Sequence, residues 1–237
     1  MTKATFASIA LTALFSATPA VAQPTILGVE RRIGNGSSPS NEQQASSIDG
    51  NIVVYQDTNG WDYNIWYFDL ATATDHQVTS GFGYRDVPHV SDHVIVYAEP
   101  GGQGVTSSVH AYDIASGADT DLTSGRSPAA FLPNVGQGIV VWMDARNGGA
   151  LDIYGRDLRS GEDERQIPSS QPYNYWPTVT SGLVVWTGCD GSAQLSTSNC
   201  HLFAYDWTTR QTRQLTSTPG RYDRAARVQG GRVVFAG

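Results

Sequence analysis

Apolar residues gather in short β-branched runs, each closed by an aromatic ring, and these runs return at a nearly constant interval. They are Val53-Val54-Tyr55, Ile95-Val96-Tyr97, Val140-Val141-Trp142, Val184-Val185-Trp186 and Val233-Val234-Phe235. The aromatic-to-aromatic steps are 42, 45, 44 and 49 residues. A period of that length marks one supersecondary unit stacked on copies of itself. The runs are continuously apolar rather than alternating, so each is expected to be a strand covered on both faces.

Other landmarks keep the same beat. An Asp-apolar pair stands at Asp69-Leu70, Asp113-Ile114, Asp157-Leu158 and Asp206-Trp207. A closing segment follows at Gln77-Val78-Thr79, Asp121-Leu122-Thr123, Gln166-Ile167-Pro168 and Gln214-Leu215-Thr216. Pro88, Pro133, Pro177 and Ala226 precede the aromatic runs. Each repeat therefore reads as four strands, A to D. Strand A follows the proline (His89-Val90, Asn134-Val135, Thr178-Val179), strand B is the aromatic-capped run, strand C is a stretch such as Leu151 to Leu158, and strand D is the closing segment. Turn pairs such as Ser116-Gly117, Ser160-Gly161 and Ser181-Gly182 punctuate the joins. Four short strands per repeat predict an all-β fold, a β-propeller of four-stranded antiparallel blades. The repeats run over about 38–83, 84–127, 128–172 and 173–220, with a partial one at 221–237. That makes five blades, the fifth incomplete.

Two readings of the fifth blade stay open. Val29-Glu30-Arg31-Arg32-Ile33 resembles the strand D segment Asp163-Glu164-Arg165-Gln166-Ile167, so the N-terminal segment could complete the blade and remove an exposed edge. Alternatively, the chain is a fragment of a longer propeller.

Residues 1–22 read as a secretory signal, with Lys3 at the start, a short apolar core from Ile9 to Phe15, and Ala20-Val21-Ala22 as the cleavage site. The apolar run is too short to span a bilayer. A periplasmic or secreted protein is expected, without membrane insertion. The remainder, about 23–237, is the propeller domain. Net charge is −7, from 15 basic and 22 acidic residues, which disfavours nucleic acid as a partner. Cys189 and Cys200 lie in one inter-strand loop, longer than its counterparts, and in an oxidising compartment they are expected to form a disulfide.

The run Pro-x-Val-x-x-Gly-x-Val-Val-Trp-x-Asp-x-Arg-x-Gly, carried by Pro133 to Gly148, resembles the propeller repeat of the TolB-like, WD40-like bacterial group. Asp152-Ile153-Tyr154 and Asp157-Leu158 continue it, and Ser47-Ile48-Asp49-Gly50 is similar to that group's Ser-Pro-Asp-Gly turn. The resemblance covers nearly all of residues 38–237. It implies an exported binding module. The chain leaves no room for the separate N-terminal domain of TolB, so it is not expected to be TolB itself.

Alternating strand direction places the D-to-A and B-to-C connections on one face. The other face, with turns such as Asp49-Gly50, Ser160-Gly161 and Thr208-Thr209, reads as plain. The first face carries Tyr84, Arg85 and Asp86; Arg126 with Phe131; Tyr173, Tyr175 and Trp176; and Arg221, Tyr222, Asp223 and Arg224. Trp61, Asp62, Tyr63, Asp144 and Arg146 join them from the B-to-C loops. Tyr, Trp and Arg combine large contact area with polar handles, and loops on a rigid scaffold commonly carry recognition. A protein or peptide partner is expected there. For any single residue the plainer alternative stands, that aromatics close the channel mouth and Arg-Asp pairs staple neighbouring blades.

Catalytic signatures are sparse. Gly125-Arg126-Ser127-Pro128-Ala129 lacks the last glycine of a nucleophile elbow. His76, His89, His93, His110 and His201 show no ligand spacing, and no metal site or cofactor is expected. Asp57-Thr58-Asn59-Gly60-Trp61-Asp62 reads as a turn rather than a calcium loop. Asp86, Asp223 and Glu42 could supply the two carboxyls of a glycan-cleaving site. Carbohydrate binding or cleavage is therefore the alternative function, and a module of a larger cell-surface protein is a third.

Overall fold

Each β-branched run becomes the second strand of an antiparallel sheet, and in β6, β10 and β14 neighbouring sheets cover it on both sides. The computed structural model describes residues 43–59, 62–101, 107–123, 125–148, 150–191, 199–229 and 231–237. The expected signal segment (1–22), the closing segment Val29 to Ile33, Glu42 and Trp61 lie outside the described residues. The first sheet holds β1 (Gln43–Asp49), β2 (Ile52–Asn59), β3 (Asp62–Asp69) and β4 (Thr74–Gln77). The second holds β5 (Asp86–Ser91), β6 (Val94–Glu99), β7 (Ser108–Asp113) and β8 (Ala118–Asp121). The third holds β9 (Ala130–Gly136), β10 (Ile139–Asp144), β11 (Asp152–Asp157) and β12 (Arg165–Gln166). The fourth holds β13 (Tyr173–Thr180), β14 (Leu183–Cys189), β15 (Cys200–Asp206) and β16 (Gln211–Gln214), and the fifth pairs β17 (Arg224–Gln229) with β18 (Arg232–Ala236). Within every sheet the strands lie in chain order. No helix occurs among the described residues, and none there is long and apolar enough to cross a membrane.

The core is a series of sheet-to-sheet contacts. Val54 packs with Val90 and Tyr97, Val96 with Val135 and Trp142, and Val141 with Val179 and Trp186. Val185 and Ala226 join the fourth sheet to the fifth. Burying each such side chain contributes about 1.5–3 kcal/mol. First strands from all five sheets line one cavity of about 580 Å³, so the sheets radiate from a common axis. This is a β-propeller, with four complete four-stranded sheets and one of two strands among the described residues. The backbones approach closely near the axis. A Cβ built on Gly136 would meet the Val179 carbonyl oxygen at 2.3 Å, which only glycine avoids.

Each aromatic cap also satisfies its polar atom. Tyr55 Oη donates to Asp75 and Tyr97 Oη to Asp119, both at 2.6 Å. Trp142 Nε1 donates to Asp144 at 3.0 Å and Trp186 Nε1 to Asn174 at 2.9 Å. A buried ring with an unpaired N–H or O–H would lose much of what its burial contributes.

Two strand boundaries differ from the sequence reading. First strands begin before the prolines, because a bulge at Val87-Pro88, Leu132-Pro133 and Trp176-Pro177 absorbs the residue without an N–H and lets pairing continue. Fourth strands end at Gln77, Asp121, Gln166 and Gln214 instead of starting there. The following Val78, Leu122, Ile167 and Leu215 still donate to Ile65, Val109, Ile153 and Leu202 of the third strands. Thr79, Thr123 and Thr216 then accept, through Oγ1, from the backbone N–H groups of Ile65, Val109 and Leu202. Pro168 replaces this threonine in the third repeat.

Candidate functional site

The bulges shape the face where recognition was expected. Val87, Leu132 and Trp176 all sit at φ 51°, each immediately before a proline. A bulky residue in the left-handed region costs on the order of 1–3 kcal/mol and persists only where the surroundings over-determine it. Its recurrence in three successive sheets makes it a built-in feature of the repeat. One consequence is that Asp86, Phe131, Tyr173, Tyr175, Trp176 and Arg224 belong to strands β5, β9, β13 and β17, not to loops.

Connections between sheets are sewn to the third strand of the preceding sheet. Tyr63 N–H donates to the Gly83 carbonyl at 3.0 Å, and the Tyr63 carbonyl accepts from Arg85 N–H at 3.1 Å. In the same way Cys200 N–H donates to the Arg221 carbonyl at 3.2 Å, and the Cys200 carbonyl accepts from Asp223 N–H at 3.0 Å. Asn174 N–H, at the start of β13, donates to the carbonyl of Leu151, the residue before β11, at 2.8 Å. The cross-strand Cys189–Cys200 disulfide ties the end of β14 to the start of β15 beside this seam.

Two aromatic groups result. At the first seam the Tyr63 and Tyr84 rings lie 4.6 Å apart, and Tyr84 Oη donates to Asp86 at 3.1 Å. Tyr84 is 43% exposed, and beside it Phe82 is 92% exposed between Gly81 and Gly83. Those glycines sit at φ 86° and 151°, conformations that hold Phe82 out on a turn. At the fourth seam Tyr175 lies 5.5 Å from Trp176, and Trp176 6.5 Å from Tyr222, ring to ring. Tyr173, Trp176, Tyr222 and Phe131 are half-buried against the core, whereas Tyr175 is buried. Burial raises the pKa of Tyr175 and Tyr222, so both stay protonated donors. No ring contact among the described residues joins the two groups. Phe82 escaped the sequence reading; its flanking glycines were the available signal.

The charged residues of this face hold the scaffold together. Arg85 pairs with Glu99 at 3.0 Å, while its carbonyl accepts from Gln56 Nε2 at 2.6 Å. Arg126 and Arg146 both reach Glu164 at 2.9 Å, and Arg146 also reaches Asp144 at 2.6 Å. Burial alone would raise the Asp144 pKa, but donors from Arg146, Ser127 and Trp142 hold it below the usual carboxylate range. Asp223 is buried between Arg221 at 3.6 Å and His201 at 3.8 Å, and Arg224 lies over the Tyr222 ring at 5.2 Å. Arg85 and Arg126 tie inter-sheet connections to the sheets that follow them, and Arg146 ties a hairpin within one sheet. Among the described residues no group of three His, Cys, Asp or Glu could hold a metal ion.

The face expected to be plain is not featureless. Cavities of about 770, 520 and 370 Å³ lie between successive sheets on that side, beside turns such as Asp92-His93 and Gln137-Gly138. Periodicity cannot reveal them, because they arise where blade edges diverge.

No family model and no curated relative matches the chain. Solved structures with a similar fold include TolB from Acinetobacter baumannii, at 14% identity and TM-score 0.57, covering 82% of this chain and 51% of that one. A nidogen/laminin complex gives 12% identity and TM-score 0.56, covering 83% and 72%. The propeller domain of the trilobed protease from Pyrococcus furiosus gives 11% identity and TM-score 0.54, covering 74% and 57%. The class is therefore a β-propeller, with TolB-like and protease propellers among its structural likenesses. This chain spans about half the length of the A. baumannii TolB it resembles.

Proposed function

We propose that this is an exported, non-catalytic propeller that binds a protein or peptide partner through the face built by the sheet-to-sheet connections and the hairpins between second and third strands. The observation that carries this reading is Phe82, almost wholly exposed and flanked by the Tyr63–Tyr84 pair on a connection pinned to β3. A large apolar ring held in water on a rigid frame is a common form of interface anchor. Trp176 and Tyr222 form the second anchor group, with Arg224 at its edge. Arg85, Asp86, Arg126, Arg221 and Asp223 position these anchors instead of making the main contact. Export is supported by the Cys189–Cys200 disulfide and by the signal-like residues 1–22. One similar fold, nidogen, was solved in complex with laminin, which agrees with a propeller used for protein recognition.

The sugar-directed alternative needs a free carboxyl pair. Asp86 already accepts from Tyr84, whereas Asp223, with Arg221 at 3.6 Å and His201 at 3.8 Å, keeps one buried oxygen without a hydrogen-bond partner. The test captures partners with a photo-crosslinking residue at position 82 in the intact protein, then compares the affinity of the captured partner for the parent protein, Phe82→Ala/Tyr84→Ala and Trp176→Ala/Tyr222→Ala. Each double variant should keep its circular dichroism spectrum and weaken partner affinity by about tenfold or more. Folded variants that bind the partner as tightly as the parent protein reject this face, and selective binding on a glycan array favours the alternative.

A further inference from the structure

The third strands of the four complete sheets share one register, and the third sheet departs from it in one side chain. The residue before the closing aspartate is Phe68, Tyr112 or Tyr205 in the first, second and fourth sheets, opposite Val53, Ile95 and Val184. In the third sheet it is Arg156, opposite Val140. The residue after the aspartate is Trp207 in the fourth sheet and Leu158 in the third. Their backbones are equivalent, since Trp207 N–H donates to the Gly182 carbonyl at 2.8 Å and Leu158 N–H to the Gly138 carbonyl at 2.9 Å.

Rings close the seam between the third and fourth sheets. Tyr205 and Trp207 are buried there, with ring centroids 6.0 Å apart. The Trp207 ring lies so near Gly155 that a Cβ on that glycine would meet it at 2.9 Å, and the Arg165 guanidinium sits 4.6 Å from the ring centre. Gly155 pairs with Arg165 across β11 and β12, as Ala111 pairs with Thr120 across β7 and β8. One seam earlier, between the second and third sheets, Ala111 and Thr120 therefore form the same wall. The side chains facing it are Leu158 and Arg156 in place of Trp207 and Tyr205. A cavity of about 520 Å³ results, lined by these four residues with Val94 and Leu122.

Arg156 has no acid. Arg146 and Arg159 lie on either side of it in the chain, and they pair with Asp144 at 2.6 Å and Asp157 at 3.0 Å. Arg156 enters none of the ion pairs among the described residues, and its Nε is buried without a hydrogen-bond partner. A buried donor of a charged group is costly to leave unmet, and a carboxylate is the acceptor that suits a guanidinium. Asp92 and Asp113 also border the cavity. Asp113 Oδ1 already accepts from Ser116 N–H and Oγ, both at 2.7 Å, and Asp92 is exposed on its turn. Their charge disfavours a ligand with more than one negative group.

We propose that this seam binds a small aromatic monocarboxylate. Its ring lies between Leu158 and the wall of Ala111 and Thr120, in the place that Trp207 fills one seam later, and its carboxylate meets Arg156. Ala111 carries a Cβ where Gly155 has none, so a phenyl ring suits the space better than an indole. The cavity falls within the range of about 300–1,000 Å³ common to small-molecule sites. The cavity of about 770 Å³ between the first and second sheets has no arginine or lysine in its lining, so it offers the acid no such partner. The site lies away from the aromatic face, so this proposal and the partner reading fail independently.

The test titrates the full chain with hydrocinnamate and follows backbone amides by NMR. Hydrocinnamate should bind with a Kd of about 1 mM or tighter and shift the amides of Ala111, Thr120 and Leu158. Replacing it by the uncharged hydrocinnamide, or the protein by Arg156→Gln, should weaken binding about tenfold or more. Because Arg156 supports no ion pair, Arg156→Gln should keep the circular dichroism spectrum of the parent. Leu158→Trp, which rebuilds the ring of the next seam, should exclude the ligand; if that variant does not fold, Arg156→Gln decides alone. Four results overturn the proposal: no amide shifts at millimolar hydrocinnamate, equal binding of hydrocinnamide or phenethylamine, unchanged binding by Arg156→Gln, or shifts centred on another cavity.

Discussion

Asp144 is fully buried, and four donors converge on it: Trp142 Nε1, Ser127 Oγ, Arg146 Nη2 and the Arg146 backbone N–H. Removing the carboxylate strands Arg146 against Glu164 alone and leaves the indole N–H without a partner. Breaking a buried pair in this way costs about 3–5 kcal/mol, so Asp144→Ala should lower the urea midpoint sharply, and Ser127→Ala less. The Trp-x-Asp-x-Arg spacing was legible in the sequence, but its meaning was not, because Glu164 arrives from 18 residues further on. His89 carries a second prediction. Burial, then the neighbouring Arg227, pushes its pKa down from 6.5 to about 4. The unfolded chain therefore binds the proton more readily between those values, and stability falls as pH drops through that window, by up to about 3 kcal/mol. His110 works the other way: burial opposes it, but Asp119, Asp121 and Glu99 raise its pKa, so it stabilises on acidification. His89 has the larger shift and should dominate. His89→Asn, matching Asn134 of the third sheet, should flatten the dependence of the urea midpoint on pH between 4 and 6.5. Equal slopes for variant and parent would refute the assignment.

The order and type of the strands were readable because β-branched runs and turn pairs alternate so regularly. The boundaries were not. Pro88, Pro133 and Pro177 looked like strand starts, since proline cannot donate to a ladder. The bulges place each proline where no donor is required, and that depends on tertiary pairing, not on local propensity. Asp86, Phe131, Tyr173, Tyr175 and Trp176, expected in loops, became strand residues for this reason, and Asp62, Tyr63, Asp144 and Arg224 joined strands where pairing ran further than the pattern suggested. Gly136 was likewise silent in the sequence. Its neighbour across the axis is the Val179 backbone, so Gly136→Ala must push β9 and β13 apart. Thermal unfolding should show a loss well beyond the roughly 0.5 kcal/mol typical of a surface change. Cysteine pairing, in contrast, was inferable from compartment and spacing. The bridge closes a loop with a sequence separation of 11. Loop-closure entropy for that length is about 3 kcal/mol. Cys189→Ser/Cys200→Ser should lose most of it and become insensitive to reductant, whereas the parent protein should lose similar stability when reduced.

Period alone disclosed the radial arrangement, since only stacked identical units bury every β-branched run. It could not disclose that the sheets differ in how well they are enclosed. The second strands β6, β10 and β14 have neighbours on both faces, and their aromatic caps are sealed. Among the described residues β17 and β18 pair only with each other, with Val234, Phe235 and Ile48 facing solvent. A two-stranded ribbon is marginal by itself, so the fifth sheet owes its order to the fourth, through Ala226 and Val228 against Val185, Leu202 and Ala204. Cooperative units in a stacked structure open in order of their local burial. Native-state hydrogen exchange under increasing denaturant should therefore resolve two isotherms. Amides of β17 and β18 should exchange through a sub-global opening with a shallow denaturant slope, while those of β10 and β14 should require the global transition. Val185→Ala, which thins the contact under the fifth sheet, should speed exchange in β17 and β18 more than in β6. A single isotherm shared by all these strands would show instead that the seam leaves the fifth sheet as stable as the rest.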